Sequence, residues 1–301
     1  MIAPFYFAPF EGKILITNDS GCYAFLSEED FQMFVKEDER LDPQIFEDLE
    51  EDGFCYSDSI ESYIRRNKDA IRDSNGYLFN GTSLIILAIT NACNNNCMYC
   101  QANGTREVKN MSIEVAEQAL QKIKNLPSAE ITIEFQGGEP LLNFPVIQYV
   151  VERGKVLLHN KTVRYTVVSN LGLLNDEIAN FLKEHEVSIS TSLDGPANIH
   201  DVNRPLANGK GSYGNTIHGI KLLREYGINP GAIQTTTCKS LQYAVSIVDE
   251  YVKQGFHQIF LRPLTRLGAA ARCWDQVGYD AKSFLSFYRS ALNRILEFNI
   301  K

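Results

Sequence analysis

Residues 93–100 read Cys93-Asn94-Asn95-Asn96-Cys97-Met98-Tyr99-Cys100, three cysteines with three and then two residues between them, directly after the apolar run Leu84–Ile89. That order predicts a tight loop at the C-terminal end of a buried strand, with three thiolates converging on one small volume. Several soft ligands so close together suit an iron–sulfur cluster. Three ligands leave one iron of a four-iron cluster open, and an open metal position is where a small molecule binds. The alternative is a structural zinc site, which needs a fourth ligand such as Cys238, Cys273 or His257.

The bulk numbers restrict the remaining classes. A chain of 301 residues with 44% hydrophobic and 22% charged residues can bury a large core. The net charge of -8, with no compact basic run to offset it, argues against a nucleic-acid partner. Arg65, Arg66 and Lys68 lie beside acids on an expected helix and read as a solvated face. No run of about 20 apolar residues predicts a membrane span, and the first residues lack the basic flank and apolar core of a signal peptide. Seven cysteines, an odd number, make a poor disulfide framework and point to a reducing, cytoplasmic location.

Working outward from the cysteines, strand and helix signals alternate to the end of the chain. Strands are expected at Leu84–Thr90, Ile131–Phe135, Val163–Ser169, Val187–Leu193, Gly231–Thr236 and His257–Leu261. Helices are expected at Ser112–Leu126, Phe144–Asn160, Asn175–Glu184, Ser212–Tyr226, Leu241–Gln254 and Lys282–Phe298. Parallel strands joined by right-handed crossovers follow. Reactive loop chemistry at nearly every strand end favours an α/β partial (β/α)6 TIM-like barrel over 81–301. Residues 1–80 have a different texture: a hairpin from Lys13–Thr17 and Cys22–Leu26, helices near Phe31–Val35, Pro43–Glu51 and Ser59–Ile71, and a polar connection at Asp73-Ser74-Asn75-Gly76. This small α+β region is expected to pack as an appendage or to bind a peptide.

Chemistry-bearing residues recur at the strand ends. Glu134-Phe135-Gln136-Gly137-Gly138-Glu139-Pro140 closes the second strand, and adjacent glycines let a ligand approach the backbone. Ser169-Asn170 follows the third strand; Ser190-Thr191-Ser192-Leu193-Asp194-Gly195-Pro196 follows the fourth, with His200, Asn203 and Arg204 next. Thr235-Thr236-Thr237-Cys238 and Leu261-Arg262-Pro263-Leu264 end the last two. Asn94, Asn95 and Asn96 can organise backbone N–H groups toward cluster sulfurs.

The cysteine spacing, with aromatic Tyr99 before the last thiol, resembles that of the radical S-adenosylmethionine (SAM) enzymes. The stretches Glu134–Phe144, Ser190–Pro196 with His200 and Arg204, and Ile259–Leu264 resemble the peptide-maturing (SPASM-type) subgroup, particularly the His-Xaa-Ser system maturases. The resemblance implies that Cys93, Cys97 and Cys100 hold a [4Fe-4S] cluster whose open iron chelates SAM. It implies that Gly137, Gly138 and Glu139 line the methionine amino group, that Ser169, Asn170, Ser192 and Asp194 serve the ribose region, with an ordinary turn as the alternative for Asp194-Gly195-Pro196, that Arg204 clamps the cosubstrate carboxylate with its rigid donor fork, and that Leu261, within Leu261-Arg262-Pro263-Leu264, presents an apolar edge to adenine. The implied oxidoreductase chemistry is reductive cleavage of SAM to a 5′-deoxyadenosyl radical, fed by a reductant such as flavodoxin or ferredoxin, and hydrogen abstraction from a ribosomally made precursor peptide to install a cross-link or epimerise a residue. Cys238 is a candidate hydrogen donor, set against a plain buried cysteine. A small-molecule substrate, activation of a partner protein, and a non-catalytic iron–sulfur or zinc scaffold remain as alternatives. The subgroup's cysteine-rich C-terminal domain has no counterpart after Cys238 beyond Cys273, which leaves a shortened chain or chemistry without auxiliary clusters.

Overall fold

The computed structural model describes residues 1–76, 81–102 and 107–300. The chain divides into two compact units, Met1–Gly81 and Thr82–Lys301; the positions 77–80, just before the expected boundary, lie outside the described residues.

In the first unit, β1 (Tyr6–Phe10), β2 (Lys13–Thr17) and β3 (Tyr23–Leu26) form an antiparallel sheet with β2 in the centre. Helices α1 (Glu28–Val35), α2 (Pro43–Glu51) and α3 (Ile60–Asn75) follow, each opened by a side chain that accepts an orphan N–H, Ser27, Asp42 and Ser59. Ile14, Ile16 and Leu26 meet Phe31, Phe34, Leu49 and Phe54 in the core. The expected hairpin is thus a three-stranded sheet. Every side chain of β1 is exposed, so it carries no alternation for a sequence reading to find. The expected polar connection at 73–76 instead begins as the last turn of α3.

In the second unit, β4 (Leu84–Thr90), β5 (Glu130–Gly137), β6 (Thr162–Val168), β7 (Ser188–Ser192), β8 (Gly231–Thr235) and β9 (Phe260–Arg262) pair in sequence order, all parallel. The connecting helices are α4 (Ile113–Lys124), α5 (Phe144–Leu157), α6 (Asp176–Glu184), the short α7 (Ala197–Asn203), α8 (Tyr213–Glu225) and α9 (Ala244–Lys253); α10 (Gly268–Arg272), α11 (Trp274–Val277) and α12 (Ala281–Asn299) follow β9. This is the expected partial (β/α)6 barrel. The sixth strand starts three residues later than expected, and the short helices α7, α10 and α11 carry too few turns to show a period.

Period-2 burial sorts the two faces. In β5, Ile131, Ile133 and Phe135 pack beneath Leu120, Ile147, Val150 and Val151 of the helices, each burial worth about 1.5–3 kcal/mol. Thr132, Glu134 and Gln136 point the other way. The strand before the cysteines departs from expectation, because Leu87 and Ile89 are buried while Leu84 and Ile86 remain 49% and 51% exposed. Only its helix-facing side is covered. The opposite, concave face of the sheet stays open, and the strand C-termini around its rim carry the cysteine loop. Among the described residues, no helix is long and apolar enough to cross a membrane.

Candidate active site

The cysteine loop is held by two sets of contacts. The first lies at the ends of β4, β5 and β6. The Gly138 N–H donates to Thr90 O at 2.7 Å and the Glu139 N–H to Ala92 O at 2.8 Å, clamping the lead-in to Cys93. Gly137 has φ +146°, and a Cβ there would sit 2.0 Å from Thr90 O; at Gly138 it would sit 2.0 Å from Ala92 O. The sequence reading gave this glycine pair to a ligand's approach. The approaching group is the protein's own backbone, which fills the space that two side chains would need.

Glu139, only 1% exposed, accepts from Ser169 Oγ at 2.7 Å, from the Asn170 N–H at 2.7 Å and from the Leu141 N–H at 3.1 Å. Burial pushes its carboxyl up, and these three donors pull it back. Its oxygens therefore serve first as a tie between β5 and β6. Asn170 passes the restraint on: its Nδ2 donates to Asn94 Oδ1 at 2.7 Å and faces Cys93 Sγ at 3.8 Å, while its Oδ1 accepts from the Gly172 N–H.

The second set lies at β7, β8 and α7 and is charged. The Tyr99 hydroxyl donates to Asp194 Oδ2 at 2.7 Å and accepts from Arg204 Nη1 at 2.8 Å; Asp194 Oδ1 accepts from the Thr235 N–H at 3.2 Å. Burial raises the Asp194 carboxyl against the pull of Arg204 and these donors. Burial also works against the Arg204 charge, but Cys97, Tyr99 and Asp194 outweigh it and hold the guanidinium firmly protonated. Arg204 thus spends at least one donor on the loop's own tyrosine. Backbone bonds complete a collar: the Asn96 N–H to Pro205 O, the Met98 N–H to Asn203 O and the Ala207 N–H to Asn94 O. Beside it, buried His200 accepts from the Asp194 N–H through Nδ1 and faces Ser212 Oγ through Nε2. Ser212 in turn donates to Arg204 O, which assigns the proton to Nε2. Burial, then Arg204, depress this imidazole to about 3.

The loop fits a cluster better than a single ion. Among the described residues, no group of three His, Cys, Asp or Glu side chains could hold one metal ion. Yet Cys93 and Cys97 each feel the charge of Cys100, so the thiols share one neighbourhood without meeting at a point. A four-iron cluster gives each thiolate its own iron, and such spacing suits it. Burial pushes Cys93 up to about 11 and Cys97 upward as well, Arg204 countering the latter; bound iron would supply the charge that keeps both deprotonated. The Asn95 N–H points at Cys93 Sγ at 3.4 Å. The Asn95 side chain is 9% exposed, with Oδ1 and Nδ2 both unpartnered, polar atoms a bound group would satisfy. The fourth ligands a zinc site requires are engaged elsewhere: Cys238 Sγ donates to Gln276 O at 3.0 Å, and Cys273 Sγ faces the carbonyls of Met98 and Ala269 at 3.4 and 3.3 Å. His257 precedes β9, at the opposite end of the strands.

Leu261 and Cys238 have definite surroundings. Leu261 lies on the helix side of β9, packed with Ala244, Ile247 and Phe287, so strand alternation turns it away from the concave face where it was expected to meet adenine. Cys238 lies three residues beyond the C-terminal end of β8, half-buried, its thiol donating to Gln276 O at 3.0 Å. Ser192 ends β7 on the same face as Ser190. The sequence reading missed Tyr99 as the junction of the charged set, the 203–207 collar, and the contact of α10 with the loop, where the Ala269 N–H donates to Cys100 O at 2.9 Å. An aromatic residue inside the cysteine motif was the available signal for the first; the others are long-range contacts with no local pattern.

Comparison with known proteins agrees with this geometry. The Radical SAM superfamily model matches residues 87–239. An uncharacterized protein of Methanocaldococcus jannaschii is 37% identical over 176 residues, covering 58% of this chain and 59% of its own length. The radical SAM cyclopropyl synthase TigE of Paramaledivibacter caminithermalis is 32% identical, over 55% of this chain and 37% of TigE. The chain spans about half the length of the curated relatives it matches. Among solved structures, SuiB of Streptococcus suis bound to its precursor peptide SuiA superposes with a TM-score of 0.57 at 14% identity, over 99% of this chain and 70% of SuiB. Native anSMEcpe with bound AdoMet gives a TM-score of 0.57 at 23% identity, over 61% of this chain and 52% of that one. With its three-cysteine loop at the rim of a partial barrel, and with the [4Fe-4S] cluster and SAM that the family implies, this chain belongs to the Radical SAM superfamily.

Proposed function

We propose that this chain is a peptide-modifying radical SAM enzyme, with Cys93, Cys97 and Cys100 as the ligands of its cluster. When bound, the cluster and SAM supply a carbon-centred radical able to abstract hydrogen from an unactivated carbon. The protein's part is to hold three thiolates in place, keep the loop amides directed at sulfur, and leave the concave face of the sheet open to a substrate. Asn95 offers its unpartnered amide to the bound group, and Ser190 and Ser192 lie half-buried on the face of β7 opposite Ile189 and Thr191.

The observation that carries the peptide reading is the edge of the N-terminal sheet. β1 includes Pro9, which cannot donate, so it presents a broken row of N–H groups. β3 has no proline, and Tyr23 and Phe25 stand 64% and 43% exposed along it. An extended peptide can add there as a fourth strand, its backbone supplying affinity and the aromatics gripping alternate side chains. The acid-rich stretch Glu47–Asp52 favours a basic leader. Support comes from relatives whose names record peptide chemistry, SuiB with its precursor peptide and the sulfatase-maturating enzymes.

The test is anaerobic co-expression with short peptides cloned from open reading frames flanking the gene, followed by mass spectrometry for a modified peptide. A cross-link removes two hydrogens, and epimerisation leaves the mass unchanged but takes deuterium from solvent. Phe25→Asp is expected to weaken binding of that peptide about tenfold or more while SAM cleavage without peptide persists. Unchanged affinity contradicts docking at β3, and an unmodified peptide contradicts the peptide reading itself.

A further inference from the structure

The concave face of the barrel sheet carries acids at two depths, and only the lower one is neutralised. At the foot of the face, Glu130 of β5 pairs with Arg164 of β6 at 3.3 Å. Higher on β5, Glu134 points the same way by strand alternation and is half-buried. Its neighbours by register are Ile86 of β4 and Thr166 of β6, and Ser188 of β7 stands beside Thr166. Gln136 donates through Nε2 to Glu134 Oε1. Among the described residues no cation is paired with this carboxylate, since Arg164, one layer below, is engaged with Glu130.

The surroundings leave a way down to it. In the layer above, toward the cysteine loop, Ala88 of β4, Ser190 of β7 and Gly231 of β8 carry little or no side chain. Glu134 lies three residues below Gly137, about 10 Å along the strand from the clamp that holds the loop. Beside it, Ile86 and Leu84 of β4 are 51% and 49% exposed. A carboxylate without a counterion in a concavity with apolar walls draws a cation. The apolar surface of Ile86 suits the methylene stem of a long cationic side chain whose tip reaches the carboxylate in a charge-assisted hydrogen bond. An acidic side chain is repelled there.

We infer that Glu134 determines substrate specificity on the concave face, selecting a substrate with a lysine- or arginine-type side chain that lies along Ile86 and places its charged tip on the carboxylate. The contact is non-covalent, and no bond or proton is exchanged at Glu134. The inference rests on the proposed reading only in taking the concave face as the place of the substrate.

The experiment uses the full chain, reconstituted anaerobically and saturated with SAM, and two blocked amino acids as probes: Nα-acetyl-lysine N-methylamide and its uncharged counterpart Nα-acetyl-norleucine N-methylamide. Their Kd values are measured by saturation-transfer NMR for the parent and for Glu134→Gln, which keeps the shape of the side chain and removes its charge. The expected result is a Kd about tenfold lower for the lysine probe than for the norleucine probe in the parent, a lysine Kd raised about tenfold in the variant, and a norleucine Kd equal in both. A parent that binds the two probes equally, or binds neither, overturns the inference. So does a norleucine Kd that rises in step with the lysine Kd, which would show that Glu134 only maintains the face, and so does a raised Kd for SAM in the variant, which would assign the carboxylate to the cosubstrate. If the flanking peptides emerge unmodified while the lysine preference and its loss in Glu134→Gln hold, the peptide reading fails and this inference stands, for a cationic substrate of another kind.

Discussion

The two sides of the cysteine loop are held by different physics. On the β4–β6 side the contacts are close and lack a cation: a glycine pair pressed against backbone carbonyls, and a buried carboxyl group met by three hydrogen bonds at 2.7, 2.7 and 3.1 Å. On the β7–β8 side they are charged: a guanidinium, a phenol and a carboxylate in one line, with a neutral imidazole beneath. The steric side fixes where the loop enters and tolerates no added atom. The charged side places Arg204 near Cys97 and tunes the field in which the thiolates form.

The largest effect is expected where nothing can yield. In Gly138→Ala the new Cβ meets Ala92 O at 2.0 Å, a clash with backbone that costs about 3 kcal/mol or more; thermal unfolding and iron content after reconstitution should both fall sharply. Tyr99→Phe removes the shared hydroxyl and leaves Asp194 and Arg204 each short of a partner, a loss of about 2 kcal/mol. Because the steric side is untouched, this variant should still take up iron. Equal loss of iron in the two variants would show that the sides do not act separately.

The smallest effect lies in the pH profile. His200 is held near 3 in the folded chain and titrates near 6.5 when unfolded, so between these values the unfolded state binds the extra proton. Folding stability therefore falls as pH drops through 6.5, and this one group contributes a loss of about 2 kcal/mol by pH 5. His200→Gln can accept from the Asp194 N–H and donate to Ser212 without taking up a proton. Denaturant unfolding of the two proteins at pH 7 and pH 5 should show their stability difference narrowing on the acid side; a constant difference would mean that the imidazole is not buried neutral.

The sequence made the barrel legible because the longer strands β4 to β6 and the crossover helices other than α7 show their own periods, and because the cysteines, the glycine pair and the asparagines cluster at strand ends. It concealed what depends on face or on distance along the chain. Leu261 lies in an apolar stretch whose orientation only the register against Gln234 settles. Tyr99, Asp194 and Arg204 are about a hundred positions apart from first to last, and no local pattern announces a line of hydrogen bonds. β1 escaped because an edge strand exposed on every side chain has no alternation to read. The glycine pair was noticed for the right property, room for a close approach, but what approaches is the chain itself.

The central claim is that Cys93, Cys97 and Cys100 hold the cluster at which SAM is cleaved. The most direct measurement is the yield of 5′-deoxyadenosine from anaerobically reconstituted protein given SAM and dithionite, for the parent chain and for Cys97→Ala. The account predicts product from the parent and none above background from the variant. Product from Cys97→Ala at the parent's level would contradict it.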